Sequence, residues 1–195
     1  HEAQLAKIDL ALGKLDLHSP IMIAPVIAMA GCVRRAVPLV ADGNGFAIDL
    51  AGLRAAVTPN TRALILNSPH NPTGAVASDA ELHAIAALAV EHDLLVISDE
   101  VYEQLVFDGH QHRPIANYPG MAGRTITISS AAKMFNVTGW KIGWACGAPD
   151  LIAGVRAAKQ YLTYVGGAPF QPAVAHGLNH EDAWVADLRE SFQGK

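Results

Sequence analysis

One lysine in this sequence stands where an amine could be reactive. Lys133 lies between two alanines and a methionine in SSAAKMFNVTGWK, residues 129–141, just past the apolar run TITIS. Keeping a lysine charged in such apolar company is costly. A neutral lysine amine can instead condense with an aldehyde to form a Schiff base. The alternative is that Lys133 faces solvent, as most lysines do.

Polar residues follow two other apolar runs in the same way. Asn71 belongs to NSPHNPTG, which follows RALIL, and Asp99 and Tyr102 belong to DEVYEQ, which follows LLVIS. Ligands of open α/β sheets bind outside the carboxyl ends of the parallel strands. The sequence therefore predicts one site that gathers the following residues: Asn71, Asp99, Tyr102, Ser130 and Lys133.

Each of these residues also has a purely structural interpretation. The stretch Asn71-Pro72-Thr73-Gly74 is a good turn, Asp99 could cap a helix, and Tyr102 could belong to the core. His110 and His112 form an HxH pair in a polar loop. We interpret that pair as solvated, because no further ligand cluster accompanies it, and we predict no metal site.

The joint pattern fits pyridoxal 5'-phosphate. This aldehyde requires a lysine, an anion near its ring nitrogen and a cradle for its phosphate. An aspartate beside the pyridine nitrogen keeps it protonated, so that the ring acts as an electron sink. Tyr102 and Asn71 could bind the phenolic oxygen. Ser130 and Lys141 offer a hydroxyl and a cation for the phosphate.

Composition indicates a folded globular protein with a small-molecule ligand. The chain has 195 residues, of which 51% are hydrophobic and 16% charged, with a net charge of −4 and no basic run. This balance argues against nucleic acid or an anionic membrane surface as the partner. No apolar run approaches the roughly 20 residues of a membrane span. The N-terminal HEAQLAKIDLALGK resembles a mildly amphipathic helix and not a signal peptide, so a cytoplasmic protein is expected.

Strand and helix patterns alternate along the chain. Strand-type runs occupy 35–40, 62–66, 94–98 and 125–129. A helix is predicted over 78–92, where Ser78 and Glu81 form a capping box, and another over about 150–165. This order predicts a three-layer α/β/α fold with a mainly parallel mixed sheet covered by helices.

The three motifs together resemble the fold-type I, class I/II aminotransferases, over roughly residues 25–190. They are NSPHNPTG, SDEVYEQLVFDG and SSAAKMFNVTGWKIGWACG. The resemblance implies that Lys133 forms the Schiff base and moves the α-proton, and that Asp99 pairs with the ring nitrogen. It also implies that Asn71 and Tyr102 bind the phenolic oxygen and that Ser130 and Lys141 bind the phosphate. Many relatives have Arg where this chain has Lys141.

The resemblance also implies a domain division and departures from the family. Members are longer; upstream they carry a phosphate-binding loop and a ring-stacking aromatic residue, neither of which is found here. Downstream, an arginine grips the substrate carboxylate, and Arg189 lies too early to be that residue. We expect an uncertain segment over 1–20, part of the cofactor-binding large domain over 21–172, and the start of the small domain over 173–195. A homodimer is implied.

Three functions stay open at this stage. The first is amino-group transfer between an amino acid and a 2-oxo acid, with the likeness pointing to N-succinyl-LL-diaminopimelate and 2-oxoglutarate or to a kynurenine-type substrate. The second is carbon–sulfur β-elimination, which would use the same Lys133, Asp99 and Tyr102. The third is an inactive truncated remnant.

Overall fold

A seven-stranded sheet forms the centre of the protein in a computed structural model that describes residues 9–14, 27–43 and 45–194. Its spatial order is β3-β2-β1-β4-β5-β6-β7. The strands are β1 (Asp9–Lys14), β2 (Val33–Ala41), β3 (Phe46–Ile48), β4 (Thr61–Asn67), β5 (Leu95–Asp99), β6 (Thr125–Ser130) and β7 (Gly143–Gly147).

Strand directions make the sheet mixed but mainly parallel. The central pairs β1–β2, β1–β4, β4–β5 and β5–β6 are all parallel. The edge strands β3 and β7 are each antiparallel to their neighbour. Parallel neighbours require crossover connections. The helix Asp79–Glu91 lies in the connection from β4 to β5, whereas the connection from β5 to β6 contains one short 3-10 helix, Ile115–Asn117.

Helices connect and cover the strands. They are α1 (Leu50–Ala56), α2 (Asp79–Glu91), α3 (Ala131–Met134), α4 (Pro149–Leu162), α5 (Gln171–His180) and α6 (Asp182–Gln193). The predicted capping box is present at the start of α2: the Glu81 N–H donates to Ser78 Oγ, and the Ser78 N–H donates to Glu81 Oε2 at 2.7 Å. A reciprocal pair of this kind satisfies two backbone donors that the first turn of a helix leaves free.

Strand β4 shows how both faces of the sheet are covered. Leu64 and Leu66 pack into the large core that includes α2, whereas Ala63 and Ile65 pack against Ile27 on the other face. Because successive side chains of a strand point to opposite faces, an almost continuous apolar strand indicates burial on both sides. The predicted three-layer α/β/α class is confirmed.

The structure corrects the boundaries and adds three strands. The amphipathic helix predicted for the N-terminus is wrong over Asp9–Lys14, which forms β1 between β2 and β4; the rest of that stretch lies outside the described residues. Pairing with two neighbours satisfies the backbone of β1 and outweighs a weak helical pattern. The short edge strands β3 and β7 were not predicted. Helix α4 ends at Leu162, three residues before the expected limit.

No helix among the described residues is long and apolar enough to cross a lipid bilayer. Both cysteines are free thiols: Cys32 is half-buried and Cys146 is exposed.

Candidate active site

The carboxyl ends of three parallel strands meet at one edge of the sheet. Asn67, the last residue of β4, is in register with Asp99, the last residue of β5, and Asp99 is in register with Ile128 of β6. The polar segments that follow these strands therefore begin side by side. This is the convergence that the motifs predicted, and it arises from parallel register alone.

Asp99 is held rigidly at this edge. Its main-chain oxygen accepts hydrogen bonds from the Ser68 N–H and from Asn67 Nδ2, both at 3.2 Å. One carboxylate oxygen accepts the Val101 N–H at 3.3 Å. Burial raises the pKa of Asp99; the Glu100 charge raises it further, and the hydrogen bond from Val101 opposes both. A half-buried carboxylate of this kind favours a cationic partner.

Lys133 lies on the short helix α3, directly after β6. Its neighbours Ala131 and Met134 are buried and anchor the turn, while Lys133 itself is half-buried. Lys133 Nζ lies 5.8 Å from the centre of the Tyr102 ring. The lysine and the tyrosine, which come from segments after different strands, therefore face each other.

The chain returns into β7 opposite Ser130, two residues after Lys141. The Ala131 N–H donates to the Ile142 main-chain oxygen at 3.1 Å, and Ser130 is in register with Gly143. A Cβ atom at Gly143 would lie only 2.9 Å from the Ser129 main-chain oxygen, so this position requires glycine. The exposed Lys141 adopts a left-handed conformation, with φ of 57°.

Asn71 and Tyr102 line an open cleft of about 1060 Å³ beside the sheet edge. The Asn71 N–H donates to Asn67 Oδ1 at 2.9 Å, which fixes the loop after β4. Within that loop His70 Nδ1 lies 2.9 Å from Thr73 Oγ1, and burial lowers the pKa of His70. The loop therefore presents the Asn71 side chain from a braced backbone.

Most predicted site side chains have free polar groups. Among the described residues, none of the following side chains forms a hydrogen bond or an ion pair: Asn71, Tyr102, Ser130, Lys133 and Lys141. Asp99 uses one carboxylate oxygen for a backbone N–H. A set of convergent polar groups that satisfy one another so little suits the binding of a polar ligand.

The prediction that the HxH pair is solvated is wrong for His112. His110 is exposed, but the His112 side chain is only 9% exposed and its Nε2–H donates to Glu100 Oε2 at 2.7 Å. Glu103 offers a third potential metal ligand, and the ligand atoms of the three residues all lie within 4.8 Å of one another. However, the His112 and Glu100 donors are paired with each other, and Glu103 Oε1 accepts from Ser129 Oγ at 2.6 Å. We therefore interpret the group as a hydrogen-bonded cluster.

Comparison with protein families agrees with this geometry. The family model for aminotransferase class I and II matches residues 21–195. This chain belongs to the class I and II aminotransferase family.

Two individual aminotransferases are similar to this chain in sequence. It is 70% identical over 172 residues to a probable N-succinyldiaminopimelate aminotransferase, DapC, of Mycobacterium tuberculosis, covering 88% of this chain and 43% of that protein. It is 44% identical over 162 residues to kynurenine–oxoglutarate transaminase 3 of Rattus norvegicus, covering 79% of this chain and 36% of that protein.

Solved structures agree with the fold of this aminotransferase-family chain. The N-succinyldiaminopimelate aminotransferase of Mycobacterium tuberculosis superposes with a TM-score of 0.93 at 65% identity, covering 96% of this chain and 48% of that one. An aspartate aminotransferase of Thermus thermophilus gives a TM-score of 0.86 at 34% identity, with the same coverage. The chain thus spans less than half the length of the relatives it matches.

The sequence analysis assigned no role to two residues that the structure places at this edge of the sheet. Asn67 joins the Asp99 main chain to the Asn71 backbone through its side chain. The sequence could have indicated Asn67, because it is the first polar residue after the buried apolar run of β4. Glu100 is 1% exposed and pairs with His112 twelve residues later. Only the folded chain shows that contact.

Proposed function

We propose that this chain carries the cofactor-binding centre of a pyridoxal 5'-phosphate-dependent aminotransferase, which transfers an amino group between an amino acid and a 2-oxo acid. The observation that carries this proposal is the position of Lys133. Its amine has no hydrogen-bond or ion-pair partner among the described residues and faces Tyr102 at the edge where Asp99 is held. The family match supports the same reaction class.

The donors at this edge fit the chemistry of pyridoxal phosphate. The site offers one amine, one half-buried carboxylate, a phenol, an amide, a hydroxyl and a second cation. The half-buried Asp99 suits a cationic ring nitrogen, and Ser130 and the exposed Lys141 suit a phosphate. When bound, the cofactor supplies an aldehyde that accepts the amino group and a ring that withdraws electrons from the α-carbon.

Lys133 would act as the proton carrier. The short helix α3 holds it between buried neighbours, while its Nζ stays free of competing hydrogen bonds among the described residues. An amine in that position can take a proton from the α-carbon of the amino acid and later return one.

Asp99, Tyr102 and Asn71 would orient the ring. Asp99 would accept a hydrogen bond from the ring nitrogen and keep it protonated by charge. The Tyr102 hydroxyl and the Asn71 amide, which share one cleft, would donate to the phenolic oxygen. Ser130 Oγ and Lys141 Nζ would bind the phosphate, with Lys141 acting as a point charge and not as a bidentate fork.

For the substrate we propose N-succinyl-LL-diaminopimelate, with 2-oxoglutarate as the acceptor. The support is the 70% identity to the mycobacterial relative, whose name carries that substrate. A kynurenine-type substrate is the second candidate, supported by the 44% identity to kynurenine–oxoglutarate transaminase 3. Assaying both amino acids with 2-oxoglutarate on one preparation separates the two candidates.

We propose that residues 21–172 belong to the cofactor-binding domain and 173–195 to the start of a second domain, with 1–20 as a separate segment. We also propose a homodimer. Its support is an apolar stretch at the end of α4, where Tyr161, Leu162, Tyr164 and Val165 are each 67–90% exposed. Exposed apolar patches of this kind commonly mark protein interfaces. A mass twice that of the chain, measured by light scattering, would support the dimer.

The cofactor proposal is tested by adding pyridoxal phosphate, reducing with borohydride and mapping the labelled peptides. We expect a pyridoxyl group on Lys133 in the wild-type chain and its loss in Lys133→Ala. The exposed Lys159 in a Lys159→Ala variant provides the matched control, which should keep the label. Label scattered over surface lysines, or no label, would instead support the inactive remnant.

A further inference from the structure

A buried acid–base pair lies directly beside Asp99. Glu100 is 1% exposed, and its Oε2 accepts a hydrogen bond from His112 Nε2 at 2.7 Å. The pair ties the end of β5 to a loop twelve residues further along the chain. Two of its polar atoms, Glu100 Oε1 and His112 Nδ1, are buried and have no hydrogen-bond partner among the described residues.

A carboxylate buried in this way needs a compensating charge. Burial of an unpaired charge is strongly unfavourable, whereas an opposite charge in hydrogen-bonding contact offsets much of the cost. His112 is the ion-pair partner that the described residues offer to Glu100. When His112 is protonated the pair is neutral as a whole. When His112 is neutral, Glu100 leaves an isolated negative charge next to Asp99.

Main-chain hydrogen bonds hold both acidic residues in place. The Glu100 N–H donates to the Ile128 main-chain oxygen at 2.8 Å, and the Glu103 N–H donates to the Glu100 oxygen at 2.8 Å. The Asp99 main-chain oxygen is held by Asn67 and Ser68. The main chains of both acids are therefore fixed, and the Glu100 charge contributes to the raised pKa of Asp99 after burial, which is the larger cause.

We propose that the Glu100–His112 pair positions the Asp99 carboxylate and, through the imidazolium charge, keeps Asp99 an anion at the place where a cofactor ring nitrogen binds. The benefit to cofactor binding rests on the proposed function. The effect of the pair on the ionisation of Asp99 does not, because it concerns the cofactor-free chain. His112 would thus act on the cofactor only through Asp99, as a positioning residue.

Two other charged residues lie near the pair in space or in sequence. Glu103 lies within 4.8 Å of it, and its carboxylate accepts from the Ser129 hydroxyl of β6. Arg113, next to His112 in sequence, directs its guanidinium to Asp79, with the nearest atoms 3.8 Å apart. Of these groups, Glu100 is the one whose charge raises the pKa of Asp99, and His112 is hydrogen-bonded to it.

The test measures the titration of Asp99 in the cofactor-free chain, by carbon-13 NMR of labelled aspartate carboxyls, with Asp99→Asn to assign the signal. We expect His112→Gln to raise the Asp99 midpoint and Glu100→Gln to lower it. The double variant Glu100→Gln/His112→Gln should lie closer to the wild type than His112→Gln does. His110→Gln is the matched control, because His110 is exposed in the same loop.

The proposal would be overturned if Glu100→Gln and His112→Gln moved the titration midpoint of Asp99 no further than the control His110→Gln does. A merely structural role would lower thermal stability without moving that midpoint. Should His112→Gln fail to fold, Glu100→Gln and His112→Asn carry the same comparison. Glu100→Gln keeps the size of the side chain and an acceptor for His112.

Cofactor affinity provides the second readout. We expect His112→Gln to weaken pyridoxal phosphate binding about tenfold, the scale of one hydrogen bond to a charged group, and the double variant to recover much of that loss. If the wild-type chain binds no cofactor, the proposed function fails, while the NMR titration still decides the role of the pair. If the wild type binds and Asp99 is unaffected by either substitution, only the pair's role fails.

Discussion

Lys133 and Tyr102 approach each other across the carboxyl edge of the sheet, with the lysine Nζ 5.8 Å from the centre of the tyrosine ring. Lys133 follows β6 and Tyr102 follows β5, so their approach depends on the parallel pairing of those strands. A cation over an aromatic face is weakly stabilised, but the ring satisfies none of the amine's hydrogen bonds. The amine thus remains available to a ligand.

Lys141→Asn should weaken the binding of pyridoxal phosphate more than that of pyridoxal, which lacks the phosphate. Lys141 has φ of 57°, a conformation that asparagine tolerates well, so this change removes the charge with little backbone strain. Because Lys141 is exposed, we expect a loss of about fivefold in phosphate-dependent affinity, below the tenfold scale of a buried charged contact. Fluorescence titration with both ligands measures the difference.

Lys141→Arg is the companion variant, since it retains the charge and adds a bidentate donor. It should bind pyridoxal phosphate at least as tightly as the wild type. Equal losses of pyridoxal and pyridoxal phosphate affinity in Lys141→Asn would remove Lys141 from the phosphate site.

Asp99→Asn should stabilise the cofactor-free chain at pH 7. The pKa of Asp99 is raised above its ordinary value of 3.8, chiefly by burial, so the folded chain binds this proton more tightly than the unfolded chain. The stability that Asp99 contributes is present below pH 3.8 and is lost as the pH rises through the raised value. Thermal melts should show an advantage of the variant at pH 7 that shrinks toward pH 3.8.

The exposed Asp187 supplies the control for that experiment, because Asp187→Asn also removes one carboxylate but from a solvated position. It should change the melting temperature little at either pH. A pH-independent advantage of Asp99→Asn would mean that ionisation of Asp99 is not its cause.

Asn67→Ala should impair both the stability and the site. The Asn67 side chain donates to the Asp99 main-chain oxygen at 3.2 Å and accepts the Asn71 N–H at 2.9 Å. Losing both contacts should lower the free energy of unfolding by about 1–3 kcal/mol, measured by denaturant titration. Cofactor affinity should fall as well, because Asp99 and Asn71 both lose a support.

Asn67→Asp separates the two contacts, since a carboxylate can still accept the Asn71 N–H but cannot donate to Asp99. It should keep part of the stability that Asn67→Ala loses. If Asn67→Ala leaves both the unfolding free energy and the cofactor affinity unchanged, the bracing role of this side chain is wrong.

Gly143→Ala should disturb the phosphate side of the site. The added methyl group would lie 2.9 Å from the Ser129 main-chain oxygen and 3.3 Å from Ser130 Cβ, so β6 or β7 must shift. Overpacking of this kind costs about 1–3 kcal/mol, which a denaturant titration detects. Gly139→Ala is the matched control, because a methyl group there meets no atom within 4 Å. Equal stability of the two variants would contradict the close approach.

Patterns along the chain predicted the elements with strong local signals. The four apolar strands and the capped helix α2 were predicted within a few residues, because short apolar runs and a capping box are clear local patterns. Strand β7, with the sequence GWACG, has neither alternation nor β-branched residues, and it exists through its pairing with β6. Strand β1 exists through two neighbours that the local sequence cannot specify.

The site residues also fall into those that the sequence could place and those that it could not. Residues at the end of a strand or shortly after it, such as Asp99 and Lys133, could be placed at one edge from topology alone. His112 could not, because a polar loop suggests solvent and only the folded chain brings its imidazole to Glu100. The roles of the individual site residues stay predictions until the variants are measured.

The antiparallel return of the chain from Ser130 to Gly143 makes the segment between them a spacer of fixed length. A residue added to or removed from 131–142 must be absorbed within that segment or by a one-residue slip of β7, and such a slip would turn Trp144 and its neighbours to the opposite face because side chains alternate along a strand. Natural variants of this chain should therefore show few changes in the length of that segment and should keep Lys133 and Lys141, which the proposed site uses. Counting residues between the serine and the glycine is then a simple screen for chains that have kept this edge intact.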